Sequence, residues 1–424
     1  MEMMIKAFQE PTRPVSIKFQ LSFGLANAGA SIALLPVLNI LIPAQVAQLD
    51  PAHSATNLAI VLATGAAGAL ISSPLSGALS DRTTSRLGRR TPWILIGMVT
   101  TTLGLGILAI QQSIFVLAAG WFMTQFFGNI LLSSYNAIIP DRVPVYQRGT
   151  TQAIVGLSTP LIMAFSIYYL GKLGHLATGY LTLSILLVLL TIVFLSFFRE
   201  PQLPAGILPP LNFKAFIKSL WINPRQNPDF GMAWIFWFMI WSAYALSAGG
   251  FQYLFLQNAI HYSTLFPGHS PQEGVATIQI LYIIAGIPLM TLAGVLSDRM
   301  KSRKIFVTIG ASLLACGLFL LGIAPAWGWV KLAGAFIGAG FWIYYTIGLA
   351  MISQLLPAAS DRGKDLGVVN IAATLPQMIM PWIGAWIINT IGIEKRASYL
   401  VMFCSGAAIA LGAVLFLQRI KKVP

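Results

Sequence analysis

The chain has 424 residues, 57% of them hydrophobic and only 9% charged, with a formal net charge of +14. A soluble domain carries about 25% charged residues, so this composition excludes a soluble fold and makes the bilayer the natural solvent. The basic surplus is spread over short loops, which points to topology and anionic lipid rather than to nucleic acid.

A transmembrane helix needs about 20 largely apolar residues, and the charged positions cut the chain into such lengths. Between Lys18 and Asp81 the only charge is Asp50, leaving one span on each side of it. Residues 91–140 hold no charge, enough for two spans joined by a turn near Gln111-Gln112-Ser113. Arg148 to Arg199 is interrupted only by Lys172, giving spans five and six. After a proline-rich stretch the pattern recurs at 230–257, 273–296, 305–323, 329–352, 366–390 and 397–418. The prediction is an all-α membrane protein of twelve transmembrane helices in two six-helix bundles. Residues 1–198 form the first bundle and 230–424 the second. Residues 199–229 form a linker in which Phe213, Phe216, Ile217, Leu220 and Trp221 predict a short amphipathic helix on the membrane surface.

Orientation follows from the basic residues. With the N-terminus placed in the cytoplasm, all of the 26 Lys and Arg fall in inner segments except Lys172, Lys331, Lys395 and Arg396. By the positive-inside rule both termini are cytoplasmic and the protein is a multi-pass resident of the cytoplasmic membrane. The first 18 residues lack a signal peptide's apolar core, so span one is expected to be retained. Cys316 and Cys404 fall inside spans and read as packing residues rather than a disulfide.

The two halves repeat. Gly77-Ala-Leu-Ser-Asp81-Arg82-Thr-Thr-Ser85-Arg86 follows span two, and Gly294-Val-Leu-Ser-Asp298-Arg299-Met-Lys-Ser302-Arg303 follows span eight, 217 residues later. Pro140 with Arg148-Gly149, and Pro357 with Arg362-Gly363, echo each other after spans four and ten. Repeats at matching loops imply a six-plus-six duplication, an architecture that commonly holds a substrate near the midplane.

The loop Ser80-Asp81-Arg82-Thr83-Thr84-Ser85-Arg86-Leu87-Gly88-Arg89-Arg90-Thr91-Pro92-Trp93, with its weaker copy at 297–304, resembles the signature loop of the major facilitator superfamily. Its spacing is similar to that of the glycoside-pentoside-hexuronide symporters and the plant sucrose transporters. The resemblance implies the major facilitator fold and transport by alternating access. It also implies a conformational latch of Asp81, Arg82, Arg86, Gly88 and Arg90, with Asp81 facing the start of span eleven near Asp365, and with Asp298 and Arg299 serving the second half. A carboxylate beside a helix N-terminus gains ~0.3–1 kcal/mol at an exposed site.

One departure bears on energy coupling. The sugar-cation symporters carry an acidic residue directly before the proline that here is Pro74, and this chain has Ser73. All twelve acidic residues lie in loops or at span ends, whereas intramembrane proton and sodium sites ordinarily need a carboxylate. Facilitated diffusion, or a proton or sodium ion coupled through a span-end group such as Asp50 or Glu273, is therefore expected in place of the family's usual carboxylate.

The same neutrality bears on the substrate, because an unpaired charge at the midplane costs at least ~2.5–3.5 kcal/mol. The spans offer amides and aromatic faces instead: Asn27, Asn39, Gln125, Asn129, Trp237, Trp241, Tyr244, Gln252, Gln279, Trp342, Tyr345, Asn370 and Gln377. Such groups suit a small neutral solute, a sugar or glycoside, whose hydroxyls need partners and whose ring faces stack. Two other readings stand beside this one. One is an exporter of amphipathic compounds or drugs; the other is a transporter-shaped assembly or lipid-handling protein without a soluble substrate. His53, His175, His261 and His269 map to outer loops without metal-ligand spacing, and no phosphate-binding loop or catalytic triad occurs. No cofactor, no metal, no enzymatic activity and a monomer are expected, with the lipid bilayer and a small molecule as the partners.

Overall fold

A computed structural model describes residues 11–110, 112–200, 202, 226–247, 250–324, 326–355 and 362–421. Among them, twelve helices are long and apolar enough to cross a bilayer. The first six are Ile17–Leu49, Ser54–Asp81, Thr91–Ile110, Ile114–Arg142, Val145–Lys172 and Leu176–Phe197. The second six are Pro228–Asn258, Pro271–Met300, Arg303–Ile323, Trp327–Ile352, Gly367–Ile391 and Arg396–Gln418. Without water to satisfy them, backbone N–H and C=O groups in hydrocarbon must bond within their own segment, which is why every span is helical. The shortest, 20 residues, rises about 30 Å, one hydrocarbon thickness. The amphipathic helix expected near 213–221 lies outside the described residues.

Spans one and seven are not continuous. Span one runs Ile17–Ile32, passes through a π-helical turn at Val37–Leu41 and resumes at Ile42–Leu49. Span seven runs Pro228–Ser247 and resumes at Phe251–Asn258, after Gly250 with φ +72°. Ala33, the cap of the first segment of span one, lies the same 217 residues before Gly250 that separate the two loop motifs. Matching interruptions in the two halves are the backbone counterpart of the sequence repeat.

The contacts divide the chain into two compact units. The first contains residues 1–37, 67–166 and 173–216; the second contains 38–66, 167–172 and 217–424. In the first unit, Phe19 and Phe23 of span one pack on Tyr135 and Phe194, with ring centroids 5.6–6.2 Å apart. The Tyr135 hydroxyl donates to Thr191 Oγ1 at 3.0 Å, so the polar tip is satisfied where water is absent. In the second unit, spans nine and ten approach closely through small residues. A β-carbon at Gly340 would stand 2.3 Å from the backbone nitrogen of Leu314. Such contact is the membrane substitute for hydrophobic association, since lipid is as apolar as leucine.

The second unit also includes the C-terminal ends of spans one and five and the start of span two. Gly250 abuts Pro43 and Leu58, and Gly171 abuts Ala276. Asn389 Nδ2 donates to Thr56 Oγ1 at 2.7 Å, joining the end of span eleven to the start of span two.

Candidate functional site

Two groups of side chains stand out, one in each unit. In the second, spans seven and ten build an aromatic cluster. Trp241 meets Tyr244 and Phe341 edge-on at 5.8 and 5.2 Å, Tyr244 stacks on Phe341 at 4.1 Å, and Phe341 stacks on Tyr345 at 6.0 Å. Trp237 lies 4.7 Å from Tyr344, and Trp342 lies edge-on to Tyr345. These are the offset and edge geometries that aromatic quadrupoles favour, worth ~0.5–1.5 kcal/mol per pair beyond burial. Two polar tips in the cluster, Trp241 Nε1 and the Tyr344 hydroxyl, are buried without a hydrogen-bond partner among the described residues. An orphaned buried donor costs ~1–3 kcal/mol. Beside them, Gln252 is 1% exposed; its Nε2 donates to the Tyr282 hydroxyl, and its Oε1 accepts from Gln279 Nε2 at 3.3 Å.

The other predicted amides fare differently. Asn129 Nδ2 donates to the Gln125 carbonyl and to Gln125 Oε1, at 2.7 and 3.1 Å. Asn27 Nδ2 donates to the Phe23 carbonyl at 3.0 Å, and Gln377 Nε2 to the Ala373 carbonyl at 3.0 Å. All three engage the preceding turn of their own helix. Asn39 is 7% exposed and sits in the π-turn of span one. Asn370 is exposed on span eleven, and its carbonyl accepts from Thr374.

The second group is ionic and belongs to the first unit. Arg90, with a side chain 6% exposed, reaches three partners. Nη2 contacts Asp81 Oδ1 at 2.5 Å, Nε donates to Asp141 Oδ2 at 3.0 Å, and Nη1 donates to Ser80 Oγ at 2.5 Å. Arg89 Nη2 contacts Asp141 Oδ1 at 2.5 Å, and its Nε stands 3.8 Å from Glu200 Oε1. Glu200 Oε2 accepts from the backbone N–H groups of Arg90 and Thr91, at 2.7 and 3.3 Å, and so caps the start of span three. Gly88 has φ +96°, and a β-carbon there would fall 2.5 Å from the Glu200 side chain. Glycine is thus required twice at this position, by conformation and by space. Gly88→Ala is expected to lose ~1–3 kcal/mol of stability from backbone strain, with the displacement of Glu200 added to it; thermal melting in detergent checks this.

Arg82 Nη1 donates to the Ala78 carbonyl at 2.9 Å. Asp298 pairs with Arg303 at 3.7 Å. The partner expected for Asp81, near Asp365, lies among side chains outside the described set; Asp81 meets Arg90 of its own unit. Sequence reasoning did not single out Glu200, Asp141, Arg89 or Phe341. Glu200 directly precedes a run of prolines and read as linker, yet its contact partners lie 109–110 residues earlier.

The sequence profile of the Major Facilitator Superfamily matches residues 21–357 and again 268–424. The chain belongs to this superfamily. It is a membrane transporter and not an enzyme, and superfamily architecture accounts for its twelve spans. No curated protein sequence matches this major facilitator chain. Its fold is similar to that of the nucleoside transporter NupG, with a TM-score of 0.75 and 11% identity over 95% of this chain and 100% of that one. It is also similar to a POT family transporter in complex with a thioalcohol-conjugated peptide, with a TM-score of 0.73 and 15% identity over 95% and 96% of the two chains. The human organic anion transporter TETRAN matches with a TM-score of 0.63 and 16% identity over 94% and 98%. At these identities the likeness concerns the fold of the superfamily member alone.

Proposed function

We propose that this transporter moves a small neutral solute, a sugar or glycoside, across the cytoplasmic membrane by alternating access, with both chain ends on the cytoplasmic side. The supporting observation is the uncharged aromatic cluster of spans seven and ten, with two buried donors, Trp241 Nε1 and the Tyr344 hydroxyl, left without partners. Rings that stack on a sugar or base face, next to N–H and O–H groups seeking oxygen, match a glycoside. A charged solute would instead require a compensating charge in the hydrocarbon, and the acidic residues described stand at span ends or in loops. Among the solved structures of similar fold, the named substrate that best matches this chemistry is a nucleoside, itself a neutral glycoside.

Uptake of radiolabelled sugars, glycosides and nucleosides into proteoliposomes tests the reading. Saturable uptake of one of them supports it. Uptake confined to peptides or organic anions refutes it.

Two span-end acids considered for ion coupling are each engaged by a neighbouring histidine. Asp50 accepts from the His53 backbone and from Asn57 Nδ2, with the His53 ring 3.1 Å away, and Glu273 lies 2.8 Å from the His269 ring. Asp50 lies between spans one and two, and Glu273 stands in the first turn of span eight. Facilitated diffusion is the simplest energetics consistent with this placement.

Alternating access requires the Thr56–Asn389 contact to break in each cycle. A variant with cysteine at both positions, in a background where Cys316 and Cys404 are serine, should lose essentially all transport on oxidation and recover it with reductant. Full transport by the cross-linked protein would count against alternating access.

A further inference from the structure

We propose that Glu200 is a proton-binding site that straps the chain after span six to the loop after span two, gripping that loop when protonated and releasing it when ionised. The inference does not depend on which solute is carried.

The geometry sets three carboxylates, Asp81, Asp141 and Glu200, against two guanidiniums, Arg89 and Arg90. Asp141 takes the short contacts, at 2.5 Å from Arg89 and 3.0 Å from Arg90, and Asp81 takes another at 2.5 Å from Arg90. Among the described residues Glu200 has one cation within 4 Å, Arg89 at 3.8 Å, and its side chain is 5% exposed, whereas that of Asp81 is 46% exposed. It is the most buried and least well paired acid of the three. What holds it is chiefly the N–H groups of Arg90 and Thr91, which a neutral carboxyl oxygen also accepts. Gln202 Nε2 extends the strap by donating to the Thr84 carbonyl at 3.2 Å. Desolvation pushes the Glu200 carboxyl up from its ordinary range, against the opposing pull of those N–H groups and of the Arg89 and Arg90 charges.

The sign follows from linkage. In the strapped state Glu200 holds its proton more tightly than a water-exposed glutamate does, so proton binding favours the strapped state. The grip is fullest below the ordinary glutamate range and is lost as pH rises through the raised value. The charged groups facing Glu200 are Arg89, Arg90 and, through them, Asp141 and Asp81. The loop it holds carries Asp81, Arg82 and Arg86, the residues the sequence marks as a latch. The strap therefore makes loop mobility a function of pH.

Hydrogen–deuterium exchange of residues 83–93 in the purified full-length protein tests the proposal between pH 4.5 and 8, after correction for intrinsic exchange chemistry. The wild-type loop should lose about tenfold protection as pH rises, with a midpoint above the ordinary glutamate range. Glu200→Gln, permanently neutral and still an acceptor, should stay protected throughout, and Glu200→Ala should stay unprotected throughout. A flat wild-type profile, or the wild-type pH dependence surviving in Glu200→Gln, would overturn the assignment. Asp141→Asn should keep a pH-dependent transition if Glu200 is the titrating group; its disappearance there, with Glu200→Gln still titrating, would assign the site to Asp141.

Discussion

Arg90→Ala is expected to be the most damaging single substitution in the first unit, lowering stability by ~3–5 kcal/mol, the range for breaking a buried ion pair from one side. The guanidinium is 6% exposed and touches Asp81, Asp141 and Ser80 at once. Removing it strands Asp141, whose remaining cation is Arg89, and leaves Ser80 Oγ without its charged donor. Desolvation alone would lower the pKa of Arg90, but the charges of Asp81 and Asp141 outweigh it and raise it. The site therefore holds a fixed charge at any workable pH. Arg90→Lys keeps the charge but lacks the planar fork that reaches two carboxylates in one geometry, so it should recover only part of the loss. Asp81→Asn differs in kind. Asp81 is 46% exposed, so folding should stay near wild type while transport falls. Detergent melting curves and proteoliposome uptake separate these outcomes. Wild-type stability in Arg90→Ala would remove the ionic cluster from the account.

In the second unit the largest effect should come from Trp241→Ala. Its ring meets Tyr244, Phe341 and Tyr345, and its Nε1 has no hydrogen-bond partner among the described residues. Losing a ring contact of ~0.5–1.5 kcal/mol and a hydrogen bond of ~0.5–1.5 kcal/mol predicts an affinity lower by about 5- to 150-fold, tenfold for every 1.4 kcal/mol. Trp241→Phe keeps the ring and deletes the donor, so it should retain roughly half of that free energy. Equal affinity in all three proteins would place the solute elsewhere. Asn129→Ala should have a smaller effect than expected from sequence, because the Asn129 amide already donates to Gln125.

The span architecture was legible because hydrocarbon permits so few solutions. Charges cannot stay inside, so their positions mark the ends, and the spans at Pro271–Met300 and Arg396–Gln418 begin and end within a few residues of the charge-derived limits. The repeat was legible for the same reason, since Asp81 and Asp298 both close a span. The breaks in spans one and seven had local signals in Pro36, Pro43 and the Gly249-Gly250 pair, but apolar length alone hid them. The site was read only in part. Sequence names an amide without showing whether its own helix will claim it, as happens to Asn27, Asn129 and Gln377 but not to the orphaned tip of Trp241. Glu200 was hidden by distance along the chain. A lone acid before a proline run looks like a tether until folding sets it on Gly88 and the first N–H groups of span three.

An electrically neutral interior should select a neutral solute, and ligand-induced thermal stabilisation of the purified protein measures that selection. Neutral sugars, glycosides and nucleosides are compared with dipeptides and organic anions at matched concentration. The melting temperature should rise with at least one neutral glycoside and with none of the charged compounds, and the rise should vanish in Trp241→Ala. Stabilisation by an anion or a dipeptide, with every neutral compound silent, would contradict it.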